Sequence, residues 1–506
     1  MDRGALTRRS WLRAVIVLAF ASLTTPLAQP ARPPGPAAPL TILQINDVYE
    51  TMPVDGRGGL ARVATLKQNV VRAGGTPLLI IAGDFLSSSV ASSIFKGKQM
   101  IEAFNAMGLD FATLGNHEFD FGKDVLLQRM AESKFQYLVA NVLDESTGKP
   151  VGGAVPYVVR TFGGLKVGFL GLCLNSDEIS SEKRRGLRFV DPMAAADGAI
   201  RSLRDEGAQA IVAITHLSYE EDRQLAQRYP EIGIIVGGHE HYVITSFTGS
   251  TLISKAGSDA RNVARIDLRG DGARLERLFE LVSIDSTLTD EPKTAAVVAE
   301  YEAKLGTELD VAIGSSRVPL DAESRRIRSA ESNLGNLITD AMRADARTDV
   351  AIINSGSIRG DRVFATGPIT RRTLIAMQPF GNVLTKIEAP GRVLLGALNH
   401  GVSRLPAAAG QFPQVSGLTM TVDGAAAPAE RVRDVRVGGQ PLDPSKQYAI
   451  AIPDYLLNGG DGYTMFAGQR VIVGQEAGDL MVTVLENYIK ANSAVSPQVE
   501  GRITIK

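Results

Sequence analysis

The chain has 506 residues, 44% hydrophobic and 22% charged, an ordinary balance for a soluble globular protein and too long for one core, so two large domains are expected. A formal net charge of −1 leaves no basic excess of the kind a nucleic-acid polymer attracts. The single cysteine, Cys173, excludes an internal disulfide and reads as a small buried hydrophobe.

The N-terminus opens on TRRSWLR (7–13), followed by the apolar run AVIVLAFASLTTPLA (14–28) and a Pro/Ala-rich stretch. A positive head, a short apolar run and small residues after it describe an export signal over 1–28, with 29–40 as linker. The run is broken by Ser22, Thr24, Thr25 and Pro26 and is too short to serve as a stable membrane anchor. The paired Arg8-Arg9 resembles a twin-arginine signal, with an ordinary secretory signal as the alternative; either predicts a periplasmic or extracellular protein.

From 41 to about 290 short, nearly all-apolar strand runs alternate with helical stretches: LTILQI, TPLLIIAG, LDFATLG, QAIVAIT and EIGIIVGG. That pattern predicts a layered α/β domain whose strands are covered on both faces. The charged, Ala-rich segment 291–315 reads as a connecting helix. A second α/β domain is expected over 316–506, with strands at DVAIINSG and KQYAIAIP and helices at NLGNLITDAMRADA and GRVLLGALNHGV.

Four of the five histidines follow an apolar strand run directly: His117, His216, His239 and His241. Asp47 and Asp84 do the same, after LTILQIN and LLIIAG. Ligands of open α/β sheets bind beyond the carboxyl ends of strands, so these groups are expected to converge on one crevice. His239 and His241, two apart in an extended segment, would point the same way. Asp, Asn and His together are the donor set of a metal pair. Any one histidine alone would read as a packing residue, and His400, inside a helical pattern, keeps that reading.

In order along the chain stand Asn46-Asp47, Gly83-Asp84-Phe85, Gly115-Asn116-His117-Glu118-Phe119-Asp120, Thr215-His216-Leu217 and Gly237-Gly238-His239-Glu240-His241. Further on come Glu331-Ser332-Asn333-Leu334-Gly335-Asn336, Asn354 to Arg359, Pro379-Phe380-Gly381 and Asn458 to Tyr463. This set resembles the calcineurin-like metallophosphoesterases and, with the second domain, the secreted 5′-nucleotidase family, across nearly the whole chain. The resemblance implies an N-terminal β-sandwich flanked by helices, joined by a helix to a C-terminal α/β substrate-binding domain. It implies one metal held by Asp47, Asp84 and His241 and another by Asp84, Asn116, His216 and His239, the ions being Mn, Zn or Fe. The pair would activate a bridging water for in-line attack on phosphorus. His117 would stabilise the transferring group or protonate the leaving oxygen, and Asp120 would orient it, unless Asp120 is a helix N-cap. Asn354, Gly356 and Arg359 would meet phosphate or ribose, Phe380 and Tyr455 would clamp a nucleobase, and Asp461 would lie near the ribose; the alternative makes the two rings ordinary core aromatics.

The chain departs from the family pattern twice. Ala330 stands where relatives often carry Arg, leaving Arg326 or Arg328 as substitutes. Tyr49 stands where the family motif D-x-H has its histidine. Tyr49 can bind a ferric ion as phenolate, hydrogen-bond through a water as a neutral phenol, or mark a weakened site in a nucleotide-binding remnant. The expected activity is phosphate release from nucleotides, nucleoside 5′-monophosphates first. The alternatives are a thiosulfohydrolase-like sulfur-oxidation enzyme of the same architecture and a non-catalytic periplasmic nucleotide-binding protein.

Overall fold

The computed structural model describes residues 40–175, 179, 183–270 and 275–506, of which 40–506 belong to one compact unit. The expected export signal lies outside the described residues.

Two six-stranded sheets build the N-terminal half. One runs, in spatial order, Leu275–Ser283, Asn262–Gly270, Leu40–Ile45, Pro77–Ala82, Phe111–Thr113, Gln136–Tyr137. The other runs Val243–Thr248, Thr251–Ala256, Ile232–Gly237, Ala210–His216, Leu165–Cys173, Tyr157–Phe162. The central strands of each sheet are parallel, and antiparallel pairs lie toward their edges. Parallel strands need crossovers, which the intervening helices supply.

The central strands, such as Leu40–Ile45, are mostly apolar because each face meets a different core. Leu40 and Ile42 join Ile80, Val212, Ile214 and Val236 between the sheets. Leu43 and Ile45 pack on the other side, with helical residues such as Leu60, Val63 and Phe104. Gln44 is polar yet fully buried, and its amide donates to Gly237 O (2.9 Å) and Ser254 O (2.8 Å), tying one sheet to the other.

The connecting helix spans Pro292–Glu308, with Pro292 in its first turn and the Glu291 carboxylate accepting from the Lys293 and Thr294 N–H groups. Thr294, Val298 and Tyr301 are buried, and the helix packs on Leu60–Arg72 and Lys98–Met107. It is thus part of the N-terminal body, and the strand Ala312–Ser316 follows it.

The C-terminal half carries a five-stranded sheet, Pro413–Ser416, Val350–Asn354, Gln447–Pro453, Leu384–Pro390, Arg470–Val473, and a four-stranded one around Leu418–Val422. Helices Asn333–Ala346 and Gly391–Val402 form where the apolar spacing predicts them. Among the described residues no helix is long and apolar enough to cross a membrane.

Candidate active site

The crevice lies beyond the carboxyl ends of the parallel strands, where the chain must turn away from each sheet. Asp47, Asp84 and His239 all sit there with positive φ (53°, 56° and 84°), a conformation disfavoured for residues with a side chain. The strand before His239 ends at Gly237, so His239 and His241 lie on a turn, and the extended geometry expected for them does not occur. The turn is compatible with His239 N–H donating to Asp47 Oδ2 (3.0 Å), which an uninterrupted strand would direct into the ladder.

Asp47, Asp84 and His216 are fully buried, with one ligand-capable atom from each within 4.8 Å of the others. His216 Nδ1–H donates to Ala82 O (2.8 Å), which fixes the tautomer and leaves Nε2 facing Asp84 Oδ2 at 3.2 Å. A lone pair and a carboxylate at that distance require a cation between them. A proton can serve: burial pulls the His216 pKa down, but Asp84 outweighs it and raises it to about 9. Burial, reinforced by Asp84, pushes the Asp47 carboxyl up. His239 and His241 are held neutral, chiefly by burial, as imidazole ligands must be, with His241 near 4. Among the described residues the buried Asn116 Oδ1 has no hydrogen-bond partner. These donors fit a metal pair.

Close packing leaves no slack around His216. A Cβ at Gly83 would lie 2.5 Å from its Nδ1, and one at Gly115 would lie 2.3 Å from Asp84 Oδ1 and 2.7 Å from His216 Nε2. Glu118, inside the Gly-Asn-His-Glu motif but given no role from sequence, accepts from the N–H groups of Asp84 (2.8 Å), Phe85 (2.7 Å), Leu86 (3.0 Å) and Gly115 (2.6 Å). One buried carboxylate thus locks two loops together.

Tyr49 brings its phenol oxygen to 2.9 Å from His241 Nε2 and 3.5 Å from both Asp47 Oδ1 and Asp84 Oδ2. Burial and the Asp84 and Asp47 charges hold its pKa well above the usual value, so only a strong cation would ionise it.

His117 Nδ1–H donates to Asp120 Oδ2 at 2.7 Å. Burial opposes protonation of this imidazole, but Asp120 and Asp84 prevail and raise its pKa to about 10. The following helix, Gly122–Glu132, has Phe121 at its cap and no side-chain cap bond, so the N-cap alternative for Asp120 fails. Lys183 Nζ donates to Asp120 Oδ1 (2.8 Å) and to Asp479 Oδ1 (3.1 Å) in the C-terminal half. Asn116 Nδ2–H donates to Glu476 O (2.8 Å), a second contact between the halves. Asn116, Asp120 and Lys183 open onto a cavity of about 820 Å³ whose other wall includes Arg347, Lys386 and Asp479.

The remaining candidates gather at one end of the five-stranded sheet. Leu384 pairs with Pro453, so the loops carrying Phe380 and Tyr455 leave that end together, joined by Asp454 N–H to Val383 O (3.0 Å) and Val383 N–H to Asp454 Oδ1 (3.2 Å). Phe380 is 44% exposed and Tyr455 42%, so neither is a core aromatic. Arg359 stacks its guanidinium 5.0 Å from the Phe380 ring centre. Asn354 Nδ2–H donates to Asp461 Oδ2 (2.8 Å), and Tyr455 O–H donates to Asp461 Oδ1 (3.0 Å). A Cβ on Gly356 would sit 3.1 Å from Asp461 Oδ2, so glycine permits that approach. His400 donates from Nε2 to Asp461 O (2.8 Å) and packs edge-on against Tyr463, a packing role as expected. Of the two substitute arginines, Arg326 pairs with Asp321 (2.9 Å) on the surface, whereas Arg328 has a buried Nε with no hydrogen-bond partner among the described residues, and its carbonyl accepts from Ala409 N–H, beside the Gly410 that bonds Gly356.

A parallel-stranded sandwich with Asp, Asn and His at its strand ends defines a metal-dependent phosphoesterase. Residues 40–243 match the calcineurin-like phosphoesterase family and residues 312–468 the 5′-nucleotidase C-terminal domain. The 5′-nucleotidase of Bos taurus is 28% identical over 97% of this chain and 94% of its own length. Among solved structures, a 5′-nucleotidase precursor from Thermus thermophilus is 29% identical over 92% of this chain and 99% of that one, with TM-score 0.56. The NAD nucleotidase of Haemophilus influenzae shares the fold at TM-score 0.75 and 19% identity, over 92% and 98% of the two chains. The chain thus carries both domains found in 5′-nucleotidases and is a metal-dependent phosphoric monoester hydrolase.

Proposed function

We propose that this chain is an exported phosphohydrolase that removes phosphate from nucleoside 5′-monophosphates, with Asp47, Tyr49, Asp84 and His241 around one cation and Asp84, Asn116, His216 and His239 around the other. The observation that carries this reading is the buried Asp47–Asp84–His216 cluster, with His216 Nε2 3.2 Å from Asp84 Oδ2. Cations bound there supply Lewis-acid charge to the phosphate and lower the proton affinity of water. The protein's own part is to orient and to move protons. His117, fixed through Nδ1 by Asp120, presents Nε2 to the phosphoryl group or to the departing ester oxygen. Arg359 and Asn354 meet the nucleotide's oxygens, Arg328 takes the place left by Ala330, and Phe380 and Tyr455 bracket the base, with Asp461 toward the ribose.

The placement of the Tyr49 oxygen beside His241, Asp47 and Asp84 supports direct ligation, and phenolate is a hard donor suited to ferric iron. The Arg8-Arg9 signal supports export to the periplasm, after folding and metal loading inside the cell. The test is metal analysis with a visible spectrum on exported protein, alongside phosphate release from nucleoside monophosphates. Iron with a visible band that vanishes in Tyr49→Phe is the expected result. Colourless active protein containing Mn or Zn would make Tyr49 a hydrogen-bonding neighbour instead. Metal-free protein that binds nucleotide without turnover would overturn the enzymatic reading.

A further inference from the structure

Lys255, in the strand Thr251–Ala256, is a fully buried lysine. Its Nζ donates to Leu217 O (2.7 Å), Gly238 O (2.8 Å) and Glu240 Oε2, and forms an ion pair with Asp222 Oδ2 at 3.0 Å. These partners are not scattered. Leu217 follows His216, Gly238 precedes His239, and Glu240 separates His239 from His241. Asp222 reaches back through its other oxygen to the Thr215 hydroxyl (2.7 Å), the residue before His216. Glu240 turns its second oxygen to Tyr219 N–H (2.6 Å), at the start of the helix after His216. One ammonium therefore grips both loops that carry imidazoles into the crevice.

A buried ion cluster is a poor way to stabilise a core, since apolar residues of similar volume do as well or better. Its strength is geometric specificity: an ammonium with three protons among four oxygens fixes where each oxygen sits. Here three of those oxygens belong to the segments that leave adjacent parallel strands, Ala210–His216 and Ile232–Gly237, and the fourth to Asp222 of the helix Tyr219–Arg228 that follows the first of them.

We propose that Lys255 is a positioning residue of the metal centre, holding His216, His239 and His241 in binding register before any cation arrives and so setting cation affinity. The proposal rests on the metal-centre reading above. It separates from a role in folding alone because the two predict different things once the stranded charges are removed.

The experiment measures Zn²⁺ and Mn²⁺ affinity by competition with a chromogenic chelator, and melting of the metal-free protein, for wild type and three variants. Lys255→Met strands Asp222 and Glu240 and should both melt lower and bind metal more weakly. The triple variant Lys255→Met, Asp222→Asn, Glu240→Gln strands no charge. Its metal-free melting should return toward wild type while its affinity stays about 10–100-fold weaker, the scale typical of lost outer-shell support. Glu240→Gln, on the partly exposed member of the cluster, keeps Lys255 paired with Asp222 and should show a smaller loss with melting near wild type. Wild-type affinity in the triple variant overturns the proposal, as does wild-type affinity in Glu240→Gln if the triple variant does not fold. Wild-type protein that takes up no metal overturns the metal-centre reading itself.

Discussion

His117 and Asp120 form a buried pair whose bond length and charge make a proton available at neutral pH. Replacing His117 by Asn should lower kcat by about 10²–10⁴, the usual worth of a positioned acid, with metal content unchanged; steady-state kinetics beside elemental analysis checks this. Asp120→Asn tests the electrostatics. A carboxylate beside an imidazole raises its pKa, so the proton is held below that value and lost above it. With Asp120 neutralised and Lys183 still adjacent, the His117 pKa falls, and the alkaline limb of the kcat–pH profile should move to lower pH. An unmoved limb would mean that His117 does not titrate in that limb.

The strand ends act as elements because their loops are cross-braced. Glu118 joins the loop after Pro77–Ala82 to the loop after Phe111–Thr113, as Asn46 joins Asp47 Oδ2 (2.6 Å) to Gly257 O (2.6 Å). Glu118→Gln puts amide protons against the N–H groups that the carboxylate now satisfies. It should destabilise the fold by on the order of 3 kcal/mol, read as a shift in denaturant midpoint. Gly115→Ala should act differently. Its methyl would meet Asp84 Oδ1 and His216 Nε2 in a cradle closed by Gly83, so metal retention should fall sharply, measured by dialysis against chelator. Normal metal content in Gly115→Ala would mean that Asp84 and His216 have room to move.

Across the whole molecule, the two halves divide the work. The N-terminal sheets converge acids and imidazoles, and the C-terminal sheet end displays two half-exposed rings with an arginine stacked on one of them. Base stacking is worth about 1–3 kcal/mol per ring face. Phe380→Ala with Tyr455→Ala should therefore raise KM for nucleoside monophosphates about tenfold or more, while kcat for a small aryl phosphate is unchanged. Equal KM values in the double variant and wild type would remove the clamp from the mechanism and favour the thiosulfohydrolase-like alternative. The halves also touch through Lys183–Asp479 and Asn116–Glu476, so groups beside the acid–base pair and the candidate metal ligands report directly on where the C-terminal half sits.

Much of this was legible in the chain itself. Apolar runs ending in Asp or His identify strands whose last residue leaves a buried sheet, because a polar group there needs partners that offset its desolvation. Two-sided burial of LTILQI and the spacing of 333–346 and 391–402 are local properties of hydrophobic period, and they folded as read. What sequence spacing could not supply were relations between distant residues. Lys255 looks like an ordinary strand lysine until Asp222 and Glu240 are brought to it. Glu118 has no assigned role in the sequence until four N–H groups converge on it. The connecting helix reads as a linker until Val298 and Tyr301 are seen buried against the N-terminal body. Residue types and their period determine which segments form strands, helices and candidate ligands, since those depend on neighbours along the chain. The tertiary structure alone decided which charges meet, because buried charges are stabilised only by partners that folding brings from elsewhere.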